Sequence, residues 1–221
     1  SDIALTGTIP AGKLVTIDAS GATGDVATDV PAVTTAGSTV TGGTGADNFI
    51  FGSGLNALDT VVGGDGKDKL SATVSGFSGA LSAAGTLNVT GVETLNLTAT
   101  LSTDINAAGI TGATQISFTG SQAGINKLTN LGAGTNVGLG TYKTDGASTG
   151  RTDISLADAT GTADAIGIVL NDTAGGNTNN VELRASGIET ANISFGYESS
   201  LDTALANHVL DVDKLNVATI T

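Results

Sequence analysis

Two stretches of the chain, Gly42-Gly-Thr-Gly-Ala-Asp-Asn-Phe-Ile50 and Gly63-Gly-Asp-Gly-Lys-Asp-Lys-Leu-Ser71, obey one nine-residue pattern, G-G-x-G-x-D-x-U-x, in which U is large and apolar. Counting back nine from Gly63 puts Gly54, Asp59 and Val61 at positions one, six and eight, so a degenerate copy precedes the second clear one in phase. Only Phe51-Gly-Ser53 interrupts that phase. Six turn residues followed by a short strand form the repeat of a parallel β-solenoid. Glycine lets the turn bend until its carbonyl oxygens face inward, and the sixth-position Asp adds a carboxylate. A calcium ion takes about six to eight oxygens, more than one turn supplies, so two stacked turns are needed to surround it. The competing reading is that these are ordinary Gly/Asp turns, which are common in β-proteins.

The flanking sequence keeps strand periodicity. Thr86-Leu-Asn-Val-Thr90, Glu93-Thr-Leu-Asn-Leu-Thr98 and Gln115-Ile-Ser-Phe-Thr119 alternate polar and apolar residues between turns rich in Gly, Asn and Asp. Lys13-Leu-Val-Thr-Ile17 is a further candidate strand, and Phe77–Ala84 and Leu201–Val209 are candidate short helices. Aromatics make up only 3 % of the chain, so the core is expected to consist of thin layers of small and β-branched side chains. The fold class is therefore all-β, a parallel β-solenoid or β-roll-like repeat with short rungs. An antiparallel β-sandwich also suits short strands with frequent turns.

Internal likeness suggests tandem units. Leu87-Asn-Val-Thr-Gly-Val-Glu-Thr-Leu-Asn-Leu97 resembles Ala185-Ser-Gly-Ile-Glu-Thr-Ala-Asn-Ile-Ser194, with Glu93 and Glu189 at the same place, and Gly43–Phe49 has a weaker echo in Thr160–Ile166. The expected organisation is residues 1–37 as the tail of a preceding unit, 38–145 as a calcium-binding β-repeat unit and 150–221 as a second, degenerate one. The chain opens on Ser1 and reads as a piece cut from a longer array.

The formal net charge is −13, with only eight Lys and Arg, which disfavours nucleic acid and anionic membrane surfaces as partners. With no cysteine, disulfides and thiol catalysis are excluded. No stretch is long and apolar enough to span a bilayer as a helix, and membrane insertion is not expected.

The nonapeptides resemble the repeats-in-toxin (RTX) class of calcium-binding repeats. Together with Gly91-Val-Glu-Thr-Leu-Asn-Leu97 and Gly187-Ile-Glu-Thr-Ala-Asn-Ile193, they look like surface-layer proteins and large surface adhesins of Gram-negative bacteria that leave by type I secretion. The resemblance implies Ca2+ in the turns, folding after export and a structural role at the bacterial cell surface, as a self-assembling lattice (S-layer) of copies of the chain. Outer-surface polysaccharide is a further implied partner. The alternatives are a glycan- or surface-binding adhesin module and the accessory β-roll of a secreted enzyme. Carried over to this chain, the metal ligands are Asp47, Asp59 and Asp68, with carbonyls from Gly43, Gly45, Gly64 and Gly66, and with Asp65 in a free position beside them. Asp164 lacks the glycine series and is a weaker candidate.

No enzyme is expected. His208 is the only histidine, and no nucleophile motif accompanies it. Glu93 and Glu189 are read as residues that tie down a turn through neighbouring backbone or a metal, rather than as an acid pair. Asp172, Asp211 and Asp213 are read as solvated charges.

Overall fold

The computed structural model describes residues 2–5, 16–30, 37–52, 55–73, 87–98, 104–119, 125–139, 150–161, 163–171, 181–196, 208–212 and 217–220. Among these there are twenty β-strands, one 3-10 turn and no α-helix. Every described strand pair is parallel, which rules out the antiparallel sandwich and leaves the β-solenoid.

One wall is a ten-stranded sheet of β1 (Ile3–Leu5), β3 (Val26–Asp29), β5 (Asn48–Gly52), β7 (Lys69–Thr73), β9 (Thr94–Thr98), β12 (Gln115–Thr119), β14 (Asn136–Leu139), β16 (Ala165–Asn171), β18 (Thr190–Gly196) and β20 (Val217–Ile220). The opposite wall is two five-stranded sheets laid end to end. The first holds β2 (Thr16–Asp18), β4 (Thr39–Thr41), β6 (Thr60–Val62), β8 (Asn88–Thr90) and β11 (Ile110–Thr111). The second holds β10 (Asp104–Asn106), β13 (Ile125–Leu131), β15 (Gly150–Leu156), β17 (Val181–Ser186) and β19 (His208–Val212). The wall changes sheet within one coil, where the 3-10 turn Ala107–Gly109 separates β10 from β11 and Asn106 caps it by accepting the Ala108 N–H.

The walls meet over side chains that stack in columns. Thr28, Phe49, Leu70, Leu95, Ile116, Val137, Ile168 and Ile193 follow one another in register, one per coil of the long sheet. Val40, Val61 and Val89 do the same across the core and are fully buried. Most inward positions hold a β-branched or Leu side chain that fills a thin layer, and the large aromatics Phe49 and Phe51 are buried at β5.

The sequence likeness around Glu93 and Glu189 is a translation of four coils along a single ladder, from β9 to β18. The long sheet runs unbroken from β14 to β16 across the boundary between the two expected units. The candidate helix Phe77–Ala84 lies outside the described residues, as do most of the candidate strand Lys13–Ile17, whose last two residues open β2, and of the candidate helix Leu201–Val209. The last two residues of the latter, His208 and Val209, belong to strand β19 rather than to a helix, and His208 pairs with Val181.

Candidate metal centre

Each coil turns twice, and the glycine-rich nonapeptides occupy the corner that leads into the long sheet. Gly42–Asp47 and Gly63–Asp68 lie one coil apart and stack directly. The stacking is close: a Cβ on Gly43 would meet the carbonyl of Ala22, one on Gly64 that of Gly43, and one on Gly66 that of Gly45. Gly64 and Gly66 also have φ of 109° and 126°, in the region that disfavours any side chain. The glycine series is thus demanded by backbone stacked on backbone.

The sixth-position aspartates point into the corner, where Asp47 and Asp68 are each only 1 % exposed. Asp47 Oδ1 accepts the N–H of Val26 at 2.8 Å from the preceding coil, and its Oδ2 accepts the N–H of Gly43 at 2.7 Å within its own turn. Asp68 Oδ1 accepts the N–H of Asp47 at 2.8 Å. Glu93, the next acid in the column, accepts the N–H of Asp68 through Oε2 at 2.7 Å. The turn before Glu93 is shorter, Gly91-Val-Glu93 in place of six residues, and the longer Glu side chain reaches the same donor. The two acidic motifs of the sequence are therefore the long and short forms of one corner. The step recurs further along: Glu189 Oε2 accepts the N–H of Asp164 at 3.0 Å, with the same 25-residue separation as Glu93 and Asp68. Glu93 and Glu189 tie down turns through backbone, as expected. The recurrence of the Asp–Glu step is not evident from the nonapeptide, and its trace in the sequence is that equal spacing.

Asp59 stands at the other corner, before the first short sheet. It is 2 % exposed, and its oxygens accept the N–H groups of Ser38 and Asn56, both at 2.6 Å. Burial pushes its pKa up, against those two hydrogen bonds. Asp65 is exposed on the outside of the glycine corner, its N–H bound to the Gly43 carbonyl at 3.0 Å. Asp25, not singled out from the sequence, accepts the N–H of Ala46 at 2.8 Å on the same outer edge.

A hard divalent cation needs about six to eight converging oxygens. Among the described residues no three acidic or histidine side chains converge on one point. Both Asp47 oxygens and both Asp59 oxygens already accept backbone N–H groups. Asp68 differs. Its Oδ2 is buried with no hydrogen-bond partner, as is Asp164 Oδ2. Burial pushes the Asp68 pKa up to about 6, and the charges of Asp47, Glu93 and Asp65 push the same way against the Asp47 N–H. A buried, partnerless carboxylate oxygen ringed by like charges is the environment a divalent cation relieves. Asp68 Oδ2 is thus an open donor at the glycine corner, whereas both Asp59 oxygens are taken by backbone N–H groups.

Comparison with protein-family profiles, with curated proteins and with solved structures gives no match to this chain.

Proposed function

We propose that this chain is a structural segment of an extracellular, calcium-dependent surface protein that assembles with copies of itself. The observation that carries the reading is the acidic column Asp47–Asp68–Glu93 at the stacked glycine turns, its two aspartates buried and Asp68 Oδ2 lacking any partner. In this reading Asp68 and Asp65, with carbonyls of the glycine turns, hold Ca2+. The ion supplies neutralising charge, and the turns can then stack without like-charge repulsion. Asp47 and Glu93 fix the backbone on either side of the site. A ladder of coils stacked in parallel register gives a stiff rod, which suits a lattice or stalk.

The test is calcium titration of the full chain after chelation, followed by circular dichroism, urea denaturation and light scattering, with magnesium as a comparison. The expected result is a rise in the urea midpoint with calcium that Asp68→Asn removes. Asp59→Ala should lower stability yet keep the calcium response. If the chain in chelator is fully folded and calcium alters neither midpoint nor size, the calcium reading is wrong.

A further inference from the structure

The outer face of the long sheet carries no charge over five successive strands. From β9 through β18 the outward residues are Thr, Asn, Gln, Ser, Gly, Ala and Val, among them Thr94, Asn96, Ser117, Asn136, Asn192 and Ser194. Ser71 and Thr73 of β7 continue the run, which ends at Lys69. In a chain with 21 acidic and eight basic residues this is a segregated surface. The second short sheet, opposite, carries Lys127, Asp153 and Arg184 in one register column, and the glycine corner carries Asp25, Asp65 and Lys67 at its surface. The first short sheet also presents mainly Thr, but its strands are only two or three residues long.

The face is also flat. Ser117 leans over Gly138, and Asn136 leans over Gly167, so that a Cβ on either glycine would meet the neighbouring side chain. Gln115 Nε2 donates to Ser117 Oγ at 2.9 Å, holding both side chains along the sheet. Short, mutually held side chains lose little rotamer freedom when another surface covers them.

We infer that this uncharged face is where a second copy of the chain docks, face to face. The inference rests on the self-assembling reading above and names its surface. Two chains of charge −13 repel one another, and contact through this face keeps their charged corners and opposite walls apart, at separations that salt screens beyond about 8–10 Å. A neutral glycan is the weaker occupant, because the described outward residues from β9 to β18 include no aromatic ring on which a sugar could stack. At about 4.8 Å per strand and about 3.3 Å per residue the face covers about 400 Å² a copy. About 800 Å² for a pair falls short of a stable isolated dimer, so the contact is weak singly and is multiplied in an array.

The absence of native cysteine makes the test clean. Ser117→Cys is placed on the face and Ser155→Cys on the opposite wall. Each full-length chain is treated with a short bismaleimide at high protein concentration, with and without calcium. In parallel, the double variant Asn96→Asp/Asn192→Asp is followed by sedimentation, its fold checked by circular dichroism and urea midpoint. The expected result is cross-linked dimers from Ser117→Cys and few from Ser155→Cys, with self-association weakened about tenfold or more in the charged variant. Unchanged association in that variant, with cross-links through Ser155→Cys instead, overturns the inference while leaving self-assembly intact. A wild-type chain that stays monomeric at every concentration and calcium level overturns both.

Discussion

Glu93 holds the backbone N–H of Asp68 across one coil at 2.7 Å, and Asp68 in turn holds the N–H of Asp47 at 2.8 Å. Each acid therefore closes the corner of the coil before it, so that loss of one leaves a donor in that preceding coil open. Glu93→Ala strands the N–H of Asp68, a residue only 1 % exposed. It should lower the unfolding free energy by about 1–3 kcal/mol. Glu93→Gln keeps an acceptor of the same length and should recover much of that loss. Urea denaturation of both variants in chelator checks this, and equal losses would mean the hydrogen bond contributes nothing beyond charge.

The same column sets a pH dependence. Burial raises the Asp68 pKa from 3.8 to about 6 in the folded chain, helped by the charges of Asp47, Glu93 and Asp65. Between those values the native state binds more protons than the unfolded state, so stability falls as pH rises from about 4 through about 6. Asp59, raised by burial, acts with the same sign. Asp18 and Asp158, held down by the Ser20 and Thr160 hydroxyls, act in the opposite direction, but only at more acid pH. The calcium-free chain should accordingly show a higher urea midpoint at pH 5 than at pH 7.5, and Asp68→Asn should flatten the difference. A midpoint that rises with pH over this window would show that Asp68 is not raised.

The glycine corner is legible in the sequence because backbone stacked on backbone tolerates only glycine, and that demand prints a fixed spacing. The strands Asn88–Thr90, Thr94–Thr98 and Gln115–Thr119 are legible because one face is buried and period two follows. The coil length is harder to see. Two nonapeptides would make eighteen residues, yet the corner hydrogen bonds join residues 21 apart. The interruption around Gly52, with φ of 49° and a register shift between Ile50 and Gly52, takes up the difference at the end of β5. The kinship of Asp68 with Glu93 is hidden because the turn shortens as the side chain lengthens, which removes the motif but keeps the bond. The likeness between the regions of Glu93 and Glu189 suggests two tandem units, because a translation along a solenoid and a duplicated domain leave the same trace in sequence.

Glycine at the corner should be far less replaceable than glycine elsewhere. Gly66 has φ of 126°, and its Cβ would overlap the carbonyl of Gly45. Gly66→Ala must both adopt that backbone and push two coils apart, at a cost of about 2–4 kcal/mol. Gly21 lies in the corner of an earlier coil with nothing within 4 Å of a Cβ. Gly21→Ala should leave stability within about 0.5 kcal/mol. Measured in chelator, this contrast reports on stacking alone. A tolerated Gly66→Ala would mean that the turns do not stack as described.

The second short sheet carries a column of alternating charge. Asp104 pairs in register with Lys127, Lys127 with Asp153, Asp153 with Arg184, and Arg184 with Asp211. Parallel strands place these positions about 4.8 Å apart, where opposite charges attract and like charges oppose folding. Arg184→Gln removes an attraction. Arg184→Glu also places a negative charge in register with Asp153, and should cost about 0.5–1 kcal/mol more. Because Lys127 and Arg184 are exposed, the gap between the two variants should close in high salt, where the screening length falls to about 3 Å at 1 M. Urea midpoints of both variants at low and high salt decide it. If the two lose the same stability at low salt, alternation in this column is decorative, and the strands of the second sheet are held by their backbone ladder and apolar face alone.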